Sequence, residues 1–93
     1  MEENDDFNND YNDNEIDELV NQFKEAVDAK SPRFFDSDDL ELIADELIAR
    51  FEFFYANEAV ELGIRLYPKS FAFRILKVKK LIMELKLETA SKE

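Results

Sequence analysis

Cysteine, histidine and tryptophan are absent from the 93 residues, which contain one glycine and two prolines. Without cysteine or histidine there is no thiolate nucleophile, no disulfide framework, no Ser–His pair and no zinc site of the usual ligand sets. No apolar run approaches the roughly 18 consecutive residues of a membrane span. The acidic start, Met1-Glu2-Glu3-Asn4-Asp5-Asp6, is the opposite of a signal peptide's basic opening, so the location expected from the sequence is cytoplasmic. Positive charge is also scarce: 12 lysines and arginines face 23 aspartates and glutamates, for a net charge of −11. A balance of that sign repels phosphate backbones and anionic lipid. Neither a nucleic acid nor a membrane is therefore an expected partner, and no cofactor or metal is expected.

The charge is unevenly placed. Residues 1–41 hold 15 acidic and 3 basic side chains, whereas residues 42–93 hold 8 acidic and 9 basic ones. The chain is thus acidic in front and locally basic behind, with Lys69, Arg74, Lys77, Lys79, Lys80 and Lys86 set against Glu84 alone in the stretch they span. Residues 1–13 carry little apolar surface beyond Phe7 and Tyr11, so they are expected to form a disordered or poorly ordered acidic tail.

From residue 14 onward the hydrophobic period is helical and never two. Ile16, Leu19, Val20, Phe23 and Val27 recur at i, i+3, i+4, i+7 and i+11, which predicts a helix over about 14–29 with Asn14 as its cap. Ser31-Pro32 turns the backbone away from helix. Leu40, Ile43, Ala44, Leu47 and Phe51 repeat the same spacing and predict a helix over about 38–50, capped by Asp36 or Ser37. A third helix is expected over about 55–66, with Ala56, Val60, Gly63 and Tyr67 on one line, and a fourth over about 70–86 after Pro68. Four helices with short connections predict an all-α domain of antiparallel hairpins spanning 14–90.

One stretch has a more specific pattern. Leu40, Ile43, Ala44 and Leu47, then Ala56 and Val60, then Gly63 and Pro68, follow the spacing of a helix–turn–helix repeat of about 34 residues. Between Ser37 and Ser70 the chain resembles a tetratricopeptide repeat, with a helix on each side, like the N-terminal part of bacterial proteins built from such repeats. The small residues Ala44 and Ala56 allow the two helices to approach closely. Gly63 marks where the next helix is expected to press, despite a helix-propensity cost of about 1 kcal/mol. The chain departs from the family pattern in its turn, where Phe51-Glu52-Phe53-Phe54-Tyr55 replaces the usual glycine and these aromatics are expected to plug the core. The places matching Leu40, Ile43 and Ala44 one repeat later fall on Arg74, Lys77 and Val78.

The resemblance implies a right-handed superhelical array whose first helices line a concave groove for a protein or peptide. Carried over by position, that groove comprises Asp38, Glu41, Asp45 and Ile48 with Ile75, Lys79 and Ile82. Its acidity favours a basic or mixed-charge segment. The fourth helix is apolar on two sides: Ile75, Val78, Leu81, Ile82 and Leu85 form one face, and Leu76, Met83 and Leu87 another. One face is expected on the preceding hairpin, and the other calls for further chain or a second copy. Leu76, Met83 and Leu87 are the face assigned to self-association.

Catalytic constellations fail on their spacing. An EF-hand loop starting at Asp36 places Leu40, Glu41 and Leu47 where an oxygen ligand, a glycine and a glutamate are required. Ser31, Ser37 and Ser70 all fall at helix boundaries, where capping accounts for them. The expected function is a non-enzymatic protein-interaction module, with a self-assembling unit as the alternative.

Overall fold

The structure, a computed structural model, describes residues 12–31 and 34–91. Four helices make up nearly all of this, and there is no strand among the described residues: α1 Asp13–Ala29, α2 Ser37–Ala49, α3 Phe53–Leu66 and α4 Ala72–Ser91. The all-α class follows from the unbroken helical period. Most of the expected acidic tail, residues 1–11, lies outside the described residues, but Asn12 and Asp13 belong to the start of α1.

The helix ends show which local rules prevail. Asn12, not Asn14, caps α1: its side chain accepts the Glu15 N–H at 2.9 Å, and its own N–H donates to Glu15 Oε1 at 3.3 Å. This reciprocal arrangement needs a glutamate three residues on, whereas Asn14 is followed at that distance by the shorter Asp17. Both α1 and α2 end in the same double hydrogen bond. The Lys30 and Ser31 N–H groups donate to Val27 and Ala26, and the Phe51 and Glu52 N–H groups donate to Ile48 and Leu47. Each motif needs one left-handed residue, usually glycine; here Lys30 (φ 54°) and Phe51 (φ 63°) take that conformation. Phe51 therefore leaves the α2 stripe it was expected to continue and is half exposed. Helix α3 begins two residues before the expected Tyr55, and α4 runs five residues beyond Lys86.

One continuous core joins the helices. Val20 and Phe23 of α1 meet Leu40, Ile43, Ala44, Leu47 and Ile48 of α2, with Ala56, Ala59 and Val60 of α3 and Phe73 of α4. Of the turn aromatics, Phe53 and Tyr55 pack against this core, but Phe54 points to solvent. Phe35 closes the core from the α1–α2 connection, edge-on to Phe23 at 5.7 Å between centroids. The Tyr67 hydroxyl donates to the Phe35 carbonyl at 2.8 Å, and its ring stacks on Phe73 at 6.2 Å. All three undersized residues, Ala44, Ala56 and Gly63, are buried.

Helix α1 packs on α2 and α3, and α4 packs on the same two from the opposite side; α1 and α4 make no close backbone approach among the described residues. Polar links run along the seams. Arg50 at the end of α2 pairs with Asp17 of α1 and with Glu46 at 3.0 Å. The hydrogen bonds it donates to Asp17 and then to Glu46 raise its pKa further. Lys24 reaches Glu52 at 2.5 Å and lies 5.4 Å from the Tyr55 ring centre.

Candidate interaction surface

Helix α4 carries two apolar stripes that compete for the core. Phe73, Leu76, Lys80, Met83 and Leu87 form one; Ile75, Val78, Ile82 and Leu85, continued by Phe71 just before the helix, form the other. The structure turns the first inward, although a lysine sits at its centre. Phe73 is fully buried, Leu76 and Met83 pack against the core, and Lys80 is 6% exposed with its ammonium 3.0 Å from Glu84. The reason is shape: the bare backbone of Gly63 leaves room for a ring, and Phe73 fills it. Leu87, at the end of this stripe, is 40% exposed and does not join the side chains packed on the core.

Leu76 and Met83 are thus not the open face they were expected to be, because the choice of Phe73 carries them inward with it. The face left open is the second stripe, at 71% exposure for Phe71, 65% for Ile75, 55% for Val78, 48% for Ile82 and 62% for Leu85. Leu81, 47% exposed, lies beside it. The spacing of four, three, four and three residues is that of a coiled-coil seam. The inward stripe has the same alternation, so spacing within α4 does not separate the faces; its residues Phe73, Leu76 and Lys80 sit 33 positions, not 34, after Leu40, Ile43 and Leu47.

The expected groove forms in part. Asp38, Glu41 and Asp45 of α2 line a shallow hollow together with Leu42, Ala72, Ile75 and Leu76, about 420 Å³ in volume. Lys79 stands at its edge and holds Asp45 at 2.6 Å, cancelling part of the hollow's negative charge. Ile82 is further along the open stripe, but Ile48 is fully buried in the core. The apolar band of α2 is wide because α1, α3 and α4 all pack on it, and that draws Ile48 inside. Among the repeat-packing residues, Leu40, Ile43, Ala44, Leu47, Ala56, Val60 and Gly63 are buried as expected, whereas Pro68 is exposed in the α3–α4 turn.

The flanks of the stripe are charged in a diagonal pattern. On the α2 side the acids Asp38 and Glu41 lie near its beginning and Lys86 near its end; on the α3 side Arg74 lies near its beginning and Glu88 near its end. Lys77 is tied to Glu61 at 3.0 Å. Among the described residues no carboxylate stands within ion-pair reach of Arg74 or Lys86. A second apolar hollow lies on the far side of the molecule, where Phe34, Phe54 and Leu66 are exposed around Phe23 and Leu62. Among the described residues there is no cluster of carboxylates able to hold a metal ion, and no helix is long and apolar enough to cross a membrane.

No protein-family model matches the chain, and no curated protein or solved structure is significantly similar to it.

Proposed function

We propose that the protein is a non-enzymatic interaction module, a stack of helical hairpins in tetratricopeptide-like order that offers the outer face of α4 to a protein partner. The observation that carries this reading is the open stripe Phe71–Ile75–Val78–Ile82–Leu85, five large apolar side chains in seam spacing, four on α4 and one immediately before it. Contiguous exposed apolar surface of this kind marks an interaction site. The acids Asp38 and Glu41 at one rim and the cations Arg74 and Lys86 at others suit a segment of mixed charge. The tetratricopeptide-like order is supported by α1 and α4 each packing on the central hairpin without touching one another among the described residues, and by Gly63 receiving Phe73 from the next helix.

The test is photo-crosslinking in cells from a reactive amino acid placed at Val78, with the same group at Asn21 on the polar face of α1 as control. A discrete protein adduct from position 78 alone is expected. Equal labelling from both positions would defeat the proposal.

A further inference from the structure

The open stripe of α4 has a charge pattern that matches itself when turned around, and on that ground we infer that its occupant is a second copy of this chain, paired through α4 in antiparallel fashion about a two-fold axis. The inference rests on the reading of α4 as a docking face and adds the identity of the partner.

In antiparallel helix pairs the seam residues interleave, and flanking residues face their counterparts on the same flank. One register covers the whole stripe. It sets Ile75 against Leu85 of the partner subunit and Val78 against Ile82 of the partner subunit, with the symmetric contacts repeated. On the α3 flank, Leu81 then meets the partner's Leu81 on the axis, which covers another exposed leucine. On the same flank, Arg74 meets the partner's Glu88. On the α2 flank, Lys86 comes beside the partner's Ala72, where Asp38 and Glu41 line the hollow. The two lysines brought together at the axis, Lys79 and its copy, are each already held by Asp45 at 2.6 Å.

Parallel pairing fails the same inspection. It brings Arg74 toward the partner's Lys79, which is already tied to Asp45, so Arg74 meets no carboxylate there and the Arg74–Glu88 match of the antiparallel pair is lost. Isologous contact of one patch with itself is the commonest route to a dimer and closes without leaving a free copy of the face. It also accounts for the exposure of five large apolar side chains beside a lysine turned inward. The seam is about four turns long. That is small for a stable interface, so the dimer is expected to dissociate in the micromolar range. The net charge of −11 opposes pairing at low ionic strength and is screened at about 0.15 M salt.

The chain has no cysteine, so single cysteines report geometry directly. Leu81→Cys under mild oxidation is expected to give a disulfide-linked dimer, as Leu81 faces its own copy. Arg74→Cys and Glu88→Cys are each expected to remain uncrosslinked alone and to crosslink when mixed. Sedimentation equilibrium of the full chain is expected to show a monomer–dimer equilibrium that Ile82→Glu weakens at least about tenfold with helical circular dichroism unchanged. Arg74→Glu and Glu88→Arg are each expected to weaken it, and the doubly exchanged chain to recover. A wild-type monomer at every concentration, an unaffected Ile82→Glu dimer, or efficient self-crosslinking of Arg74→Cys would overturn the inference. If the adduct from position 78 contains other proteins while the chain itself stays monomeric, α4 remains a docking face and only its self-pairing falls.

Discussion

Phe73 of α4 lies with its ring flat against the backbone of Gly63 in α3, in the space a β-carbon would need. The contact decides which side of α4 faces inward, and through that which apolar side chains remain outside.

Gly63→Ala is expected to destabilise the protein although alanine is the better helix former. The propensity gain is about 1 kcal/mol, but the new methyl overlaps a fully buried ring, and overpacking costs about 1–3 kcal/mol. A net loss of about 1 kcal/mol is expected in urea denaturation. Phe73→Leu in the same chain should recover part of it, because the overlap is then relieved; additive losses would show that the two residues do not oppose each other.

Lys30 and Phe51 occupy left-handed positions at the ends of α1 and α2, a conformation that costs an L-residue about 1–2 kcal/mol. Lys30 is exposed, so Lys30→Gly is expected to raise the urea midpoint by the equivalent of about 1 kcal/mol at unchanged slope. Phe51→Gly should gain less, since the Phe51 ring also contacts Phe53 at 5.9 Å between centroids.

The Lys80–Glu84 pair is unequal, with the lysine buried and the carboxylate more than one third exposed. Replacing a buried charge by an apolar side chain of similar length is often neutral or stabilising, so Lys80→Met is expected to hold or raise thermal stability. Glu84→Gln leaves the buried ammonium without its counter-charge and is expected to cost about 1–2 kcal/mol, reduced from the fully buried case because water reaches Glu84. A larger loss from Lys80→Met than from Glu84→Gln would reverse this assignment.

Stability should fall in alkali. The Tyr55 hydroxyl donates to Asp28 at 2.7 Å, and this bond, which only the protonated phenol can make, raises the Tyr55 pKa above its usual value near 10. A group whose folded pKa is raised contributes fully below its unfolded pKa and loses that contribution as the pH climbs through the folded one. Thermal melts between about pH 9 and 12 should therefore decline less steeply for Tyr55→Phe than for the parent. Parallel curves would show that the bond does not bias folding.

The stripes of α1, α2 and α3 were legible in the sequence because each helix has one apolar face and therefore one way to turn. Val20, Phe23, Leu40, Ile43, Leu47 and Val60 are all buried where the spacing places them. Helix α4 has two such faces, so periodicity alone left its rotation undecided, and the answer came from the space above Gly63. The turn aromatics misled for a related reason. Hydrophobicity suggested burial for Phe51 and Phe54, but the left-handed backbone at Phe51 and the earlier start of α3 turn both toward solvent. On the surface, Asp38, Glu41 and Asp45 share a hollow with Ile75, four of the residues that the family resemblance grouped together. The pairing of Lys79 with Asp45 was not foreseen, since it depends on how far α4 slides along α2.

Because α1 and α4 each lean on the α2–α3 hairpin and not on each other, either can detach while the middle stays closed. Amide protons should therefore exchange in a graded order, soonest in the last turns of α4 and latest around Ile43, Leu47 and Val60. Anything that clasps α4 from outside would slow its exchange first.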